Sequence, residues 1–345
     1  MAKELTVAIV GATGAVGTKM KEQLLKRNFP IKHIKFLASA RSAGTEIEFG
    51  GNIYQIEEAT PEAFEGVDVA LFSAGGSVSA KLAPEAAKRG AVVIDNTSHF
   101  RMHPDVPLVV PEVNREDLAK HNGIIANPNC STIQMVAALQ PIREQFGLTK
   151  VIVSTYQAVS GSGVSAIEEL RTQSAEWDAG KNIEAKILPA KSDKKHYPIA
   201  RNVIPQIDVF TDNGFTYEEM KMINETKKIM HMPDLAVAAT CVRVPVVSGH
   251  SESVYIEVEK EIGVQEMFDV LRNAPGIVLQ DDISAQDYPM PLFVEGEDPV
   301  YVGRIRQDLS NKKGFHLWIV SDNLLKGAAL NSIQIAESML EDNLL

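Results

Sequence analysis

The chain has 345 residues, 45% of them apolar and 23% charged, with a formal net charge of −11. That length and balance suit two globular domains of ordinary size or one domain with a large insertion, and the acidic charge argues against nucleic acid or an anionic membrane as a partner. Two cysteines, Cys130 and Cys241, exclude a disulfide framework and a CxxC metal pattern. No apolar run is long enough for a transmembrane helix, and the start Met1-Ala2-Lys3-Glu4 has no signal-peptide core, so the expected compartment is a reducing cytoplasm.

Leu5 to Val10 (LTVAIV) reads as a buried parallel strand, followed by Gly11-Ala12-Thr13-Gly14-Ala15-Val16-Gly17 and a helix to about Arg27. The spacing G-x-x-G-x-x-G is a variant of the dinucleotide fingerprint. Its glycines allow a tight turn, close approach of a pyrophosphate and tight helix–strand packing, and the helix start offers an anion site. The alternative is a plain tight turn. A second strand, His33 to Ala38, ends in Ser39-Ala40-Arg41-Ser42. No acid stands there to bind ribose hydroxyls. Arg41 with Ser39 and Ser42 suits a 2′-phosphate, so NADP is favoured over NAD; the other reading is a solvated turn with one surface Arg. Val67 to Ser73 and Ala91 to Asp95 read as further strands, with a helix from Val78 to Arg89 between them. The turn Ser73 to Ser77 lies where a doubly wound sheet places its ligands. The alternation predicts an α/β fold that opens with a doubly wound parallel sheet.

Cys130 sits in Asn127-Pro128-Asn129-Cys130-Ser131-Thr132, directly before an apolar helical stretch that runs to Phe146. Unpaired N–H groups and the positive end of the dipole there favour a thiolate, which is the nucleophilic form of cysteine. Against this stands the reading of Cys130 as a small buried hydrophobe. Val151 to Ala158 is strand-like and leads into Val159-Ser160-Gly161-Ser162-Gly163, a loop of small residues that either lets a ligand approach or merely connects strand to helix. Tyr217-Glu218-Glu219-Met220-Lys221 opens a helix whose charges read as a solvated face. Ala236 to Val247 is a β-branched run containing Arg243, which needs an anionic partner if buried. Cys241, in the same run, reads as structural. Ser248-Gly249-His250-Ser251 turns into the alternating strand Glu252 to Glu259; a lone His on such a turn reads as a surface residue. From Leu324 to Leu344 the pattern is helical, preceded by Asn323, and Gly327-Ala328-Ala329 permits close packing on the first domain.

Six signatures occur in order: GATGAVG at the start, SHFRM around Arg101, NPNCST around Cys130, STYQAVSGSG around Gln157, CVRVPV with SGHSE around Arg243 and His250, and SDNLLKGAA near the end. Together they resemble the aspartate-semialdehyde dehydrogenase family along essentially the whole chain. The resemblance implies a Rossmann-like NADP-binding domain (1–129), an α+β catalytic and dimerisation domain (130–322) and a C-terminal helix (323–345) returning to the first. It implies NADPH-dependent reduction of L-aspartyl 4-phosphate to L-aspartate 4-semialdehyde and phosphate, in the biosynthesis of lysine and diaminopimelate, methionine, threonine and isoleucine, by a cytoplasmic homodimer without a metal. Cys130 would form a thioester and His250 would act as acid/base. Gln157, Glu218 and Arg243 would bind the substrate, although Glu219 could take the place of Glu218. Arg101, Asn129 and Lys221 would hold phosphate. Ser160, Gly161 and Asn323 would join Gly11, Thr13, Gly14, Ala15, Val16, Gly17, Ser39, Arg41 and Ser42 in binding NADP. Related classes fit less well: N-acetylglutamyl-phosphate reductase follows its Cys with Tyr-Pro, where Ser131-Thr132 stand here, and glyceraldehyde-phosphate dehydrogenase has a different Cys motif. A thiol hydrolase would lack the glycine fingerprint. A nucleotide sensor would not need Cys130, Gln157, Arg243 and His250 together.

Overall fold

The computed structural model describes residues 4–345; positions 1–3 of the expected first domain lie outside the described residues. The chain divides into two compact units, one reaching to Asn129 and resuming with Ala328–Leu345, the other Cys130–Gly327. Among the described residues no helix is long and apolar enough to cross a membrane.

In the first unit β1 (Leu5–Val10), α1 (Ala15–Lys26) and β2 (Ile31–Ala38) are followed by short strands β3 (Glu46–Phe49), β4 (Asn52–Gln55) and β5 (Glu57–Glu58). Then come β6 (Val69–Phe72), α2 (Gly76–Lys88), β7 (Val92–Asp95), α3 (Pro111–Asn114) and β8 (Ile124–Ala126). Six strands make one sheet, in the order β5-β2-β1-β6-β7-β8, with every neighbouring pair parallel. The continuous apolar run of β1 follows from burial on both faces. Val7 and Ile9 enter one core with Met20 and Leu24 of α1, while Ala8 and Val10 enter another with Leu82, Ala83 and Ala86 of α2. The strand order reverses beside β1, so a crevice opens past its carboxyl end. The β3–β4 hairpin is absent from the sequence reading. Its turn, Gly50-Gly51, holds φ of 59° and 79°, the left-handed values a two-residue hairpin turn requires.

The second unit contains α4 (Cys130–Phe146), β9 (Lys150–Gln157), α5 (Val164–Asp178), α6 (Tyr217–Ile229), β10 (Ala236–Arg243) and β11 (His250–Glu257). It continues with α7 (Val264–Arg272), β12 (Ile277–Leu279), α8 (Pro291–Val294), β13 (Val300–Gln307) and β14 (Gly314–Ser321). Its sheet is mixed, in the order β10-β9-β11-β14-β13-β12. Every residue of α4 from Ser131 to Gln140 is buried, as befits a central helix that is apolar or small all round. β9 alternates strictly: Val151, Val153, Thr155 and Gln157 are buried, whereas Ile152 and Tyr156 on the other face are 45% and 40% exposed. Register collects three polar side chains at one end of the sheet. Arg243 pairs with Gln157, Ser251 with Tyr156, and His250 with Ser321.

Past β14 the expected unbroken helix is interrupted. A π-helical turn, Leu325–Ala329, precedes α9 (Leu330–Glu341), whose Ile333, Ala336 and Met339 join the core of the first unit beside α1. The return begins at Ala328 rather than 323 because Gly327 still packs in the second unit. A Cβ on Gly327 would stand 2.8 Å from the Cβ of Cys130, so that glycine serves Cys130 and not the first domain.

Candidate active site

Gln157, Arg243 and His250 are 1%, 3% and 0% exposed. The expectation of a surface His250 is therefore wrong: β11 begins at His250, two residues earlier than its alternating pattern suggests, and takes the ring inside. His250 Nδ1 accepts the Ala158 N–H at 3.1 Å, which leaves the proton of the neutral ring on Nε2. Nε2 faces the Gln157 amide at 3.5 Å. Burial first, and then the charge of Arg243, lower the His250 pKa to about 3, with Glu218 opposing. The ring is thus neutral near pH 7. An anion that offsets Arg243 moves it back towards its ordinary range.

Arg243 donates to the Ala158 carbonyl at 2.7 Å and to Ser162 Oγ at 2.9 Å, while its buried Nε has no hydrogen-bond partner. Burial lowers its pKa, and Glu218 and the Cys130 sulfur act in the opposite direction. No carboxylate among the described residues bonds to this guanidinium. Glu218 and the Cys130 sulfur act on it only through space, which leaves this buried cation able to take an anionic hydrogen-bond partner.

Cys130 is the first residue of α4 and is half-buried. A negative sulfur there meets both the helix dipole and the charge of Arg243. Cys241 is fully buried and burial pushes its thiol up, in keeping with a structural role. Around the site, Thr155 Oγ1 donates to Gln157 Oε1 (2.9 Å) and Gln157 Nε2 donates to Glu218 Oε1 (3.1 Å). Lys221 Nζ donates to Glu218 Oε2 at 3.3 Å. The solvated face expected for this helix start is a buried one: Glu218 and Glu219 are 5% and 8% exposed. Their tasks differ. Glu219 spends its oxygens on the backbone N–H groups of Thr216 (2.7 Å) and Cys241 (3.1 Å), so Glu218 is the acid turned to Gln157 and Lys221. Asn323 Nδ2 donates to Ser160 Oγ at 2.9 Å, and its Oδ1 accepts the Gly249 N–H at 2.9 Å, tying together the loops that flank His250. Gly161 has no room for a side chain without touching Arg243 and His250, whose nearest atoms would lie 3.2 and 3.3 Å from its Cβ. Ser162 and Thr155 are site residues that the sequence reading did not single out; their signal is a hydroxyl next to a glycine and two residues before Gln157.

In the first unit a cleft of about 570 Å³ is lined by Gly11, Thr13, Gly14, Ser39, Arg41 and Ser42. Ser77, from the turn expected to meet a ligand, lines it too, as do Lys81 of α2 and Glu58 of β5, neither of which was singled out from the sequence. Arg41 and Lys81 make no ion pair with the described chain, so two free cations face one acid. Ala15, Val16 and Gly17 form the first turn of α1 rather than the cleft wall, and a Cβ on Gly17 would overlap the Gly11 carbonyl. Arg101, 7% exposed, donates to the carbonyls of Asn127 (3.0 Å) and Asn96 (2.8 Å); Asn129 is equally buried. Among the described residues no group of three or more His, Cys, Asp or Glu is placed to hold a metal ion.

Beneath His250, on the same face of β11, Glu252 is fully buried. Neither of its oxygens makes a full hydrogen bond, and the Gln134 amide is the group that approaches it. Burial raises its pKa well above the ordinary 4.5. The folded protein therefore holds this proton more tightly than the unfolded chain. The stabilisation is full in acid and is lost as pH rises from the unfolded value through the folded one, at about 1.4 kcal/mol per tenfold difference in proton affinity. Glu252→Gln should flatten this dependence: thermal melts at pH 5 and pH 8 should differ less for the variant than for the parent, with the variant at least as stable at pH 8. An unchanged difference would show that another group carries the dependence.

Two family models match the chain: "Semialdehyde dehydrogenase, NAD binding domain" over residues 6–121 and "Semialdehyde dehydrogenase, dimerisation domain" over residues 139–326. The aspartate-semialdehyde dehydrogenase of Bacillus subtilis is 64% identical over 345 residues, the full length of both chains. The chain belongs to the aspartate-semialdehyde dehydrogenase family. Another member of the family, from Aquifex aeolicus, is 52% identical over 98% of this chain and 99% of its own. Among solved members, Vibrio cholerae aspartate semialdehyde dehydrogenase II complexed with ASA superposes with a TM-score of 0.93 at 47% identity, covering 99% of each chain. The Candida albicans aspartate semialdehyde dehydrogenase structure with NADP gives a TM-score of 0.77 at 26% identity, covering 99% of this chain and all of its own.

Proposed function

We propose that this family member reduces L-aspartyl 4-phosphate to L-aspartate 4-semialdehyde, reversibly and with NADPH, as a cytoplasmic step towards lysine, methionine, threonine and isoleucine. The observation that carries the reading is Arg243: a buried guanidinium to which no carboxylate among the described residues hydrogen-bonds, an unbonded Nε, and His250 and Gln157 at its side. It suits the α-carboxylate of an amino-acid substrate, and Glu218 suits its amino group. Cys130 sulfur attacks the acyl carbon, a C–S bond forms, the bond to the phosphate oxygen breaks, and phosphate leaves with the help of Arg101, Asn129 and Lys221. His250, neutral and protonated at Nε2, donates to the carbonyl oxygen as charge develops there. When bound, NADPH supplies the hydride that turns the thioester into the aldehyde. Cys130 is then released as thiolate, and the covalent stage has divided one hard step into two.

The first-unit cleft fits NADP. Gly11, Thr13 and Gly14 suit a pyrophosphate, and Arg41, with Lys81 in the lining of the same cleft, suits a 2′-phosphate. Ser160, Gly161 and Asn323 are proposed as further NADP-binding residues. The second unit carries the chemistry and the contact of a homodimer. The open face of its sheet, with Ile152, Tyr156 and Trp318 exposed or half-exposed, suits that contact. The test is absorbance at the nicotinamide band with aspartate semialdehyde, phosphate and NADP: cofactor reduction that depends on all three supports the reading, and no reduction refutes it. A sharper result concerns Arg41→Ala. One charge-assisted phosphate contact is worth roughly 1.5–3 kcal/mol, so the variant should lose about ten-fold or more in NADP affinity and little in NAD affinity. Equal losses for the two cofactors would show that Arg41 does not read the 2′-phosphate.

A further inference from the structure

Lys221 does not stand alone at the site. Its Nζ donates to Asp208 Oδ2 at 2.9 Å as well as to Glu218. Asp208 lies on the loop before α6 with φ of 67°, the left-handed region that residues other than glycine seldom occupy and that Asp and Asn tolerate by bonding locally. Its carboxylate is divided between two tasks. Oδ1 accepts the Val209 N–H at 2.9 Å and braces the unusual backbone, which leaves Oδ2 aimed at Lys221. Gln206 Nε2 fixes the same turn from behind, donating to the Asp208 carbonyl at 3.1 Å and to Asp193 at 2.8 Å. Lys221, Glu218, Gln157 and His250 then follow one another at 3.3, 3.1 and 3.5 Å. An isolated Lys–Asp pair at a surface does little. This one ends a run of contacts that reaches the buried imidazole, and it holds a flexible four-carbon stem at a second point besides Glu218.

We propose that Asp208 is a positioning residue that holds the Lys221 ammonium in place for the oxyanion of the reaction, inorganic phosphate in the oxidative direction. The inference rests on the reading of Lys221 as the phosphate ligand. Confining the ammonium before phosphate arrives removes rotamer freedom that would otherwise be lost on binding, so the effect belongs in the affinity for phosphate rather than in the chemical step.

The experiment is steady-state semialdehyde oxidation with inorganic phosphate varied, for the parent, Asp208→Ala, Asp208→Asn, Lys221→Ala and the double variant Asp208→Ala with Lys221→Ala. Asn tolerates the left-handed backbone and can still accept from Lys221, so it remains a usable variant if Ala does not fold. Asp208→Ala should raise the KM for phosphate about ten-fold and Asp208→Asn about three-fold, the scales of a charged and a neutral hydrogen bond. The KM for NADP and the kcat at saturating phosphate should change little. In the Lys221→Ala background, Asp208→Ala should add nothing. A phosphate KM that is unchanged or lower in Asp208→Asn and Asp208→Ala, or losses that multiply in the double variant, would overturn the proposal alone. A phosphate KM unchanged in Lys221→Ala would overturn the reading of Lys221 and the proposal with it.

Discussion

Cys130→Ser should leave a folded protein that binds NADP and does not turn over. Serine keeps the shape of the side chain at the start of α4 but offers an alcohol, which the helix dipole and Arg243 cannot bring to the anion as they can a thiol. The loss should be at least about a thousand-fold in kcat, as expected when a covalent nucleophile is removed. Stability should move by no more than about 1 kcal/mol, because Cys130 is half-buried and no volume is added against Gly327. Thermal melts and NADP titration establish that the variant is intact, and initial rates of semialdehyde oxidation give the answer. Substantial turnover by an intact Cys130→Ser protein would sink the thioester route.

The parts of this molecule that were legible in its sequence are those fixed by local chemistry. The run Gly11 to Gly17 must turn tightly under a helix start, and it does, with Gly11 at φ of 87°. Cys130 follows Asn129 into an apolar helix and stands at its first position. What escaped the sequence depends on contacts between distant segments. His250 looks like a turn residue because Gly249 precedes it and the visible alternation begins at Glu252; pairing with Ser321 on β14 draws the strand back and buries the ring. Glu218 and Glu219 look like a solvated helix start, but α6 lays that turn against β10, where Glu219 caps its own helix and holds Cys241 while Glu218 meets Gln157. Glu58 and Lys81 reach the cleft of Arg41 from other elements. The Gly50-Gly51 turn is the opposite case: its signal is local and unambiguous, and only the shortness of the flanking strands hides it.

Arg243→Lys should lower kcat/KM for aspartate semialdehyde by at least about ten-fold, the scale of one lost charged hydrogen bond. The guanidinium here divides its donors: one terminal nitrogen holds the Ala158 carbonyl at 2.7 Å, the other Ser162 at 2.9 Å, and the buried Nε remains unbonded. A planar fork can keep those two contacts and still present N–H groups to a carboxylate, whereas an ammonium on a flexible stem must give up one contact to make another. The Ala158 backbone also bonds His250 Nδ1, so a loosened Arg243 disturbs the imidazole as well. The two contributions separate when the substrate is truncated. With a semialdehyde analogue that lacks the α-carboxylate, the parent enzyme loses the same contact that the Lys variant lost, and the remaining effect of Arg243→Lys is the part acting through Ala158 and His250. The comparison is four values of kcat/KM, two enzymes against two substrates. The effect of Arg243→Lys should shrink several-fold on the truncated substrate. If the losses instead multiply, Arg243 and the carboxylate do not meet, and the partner of this buried cation is some other group.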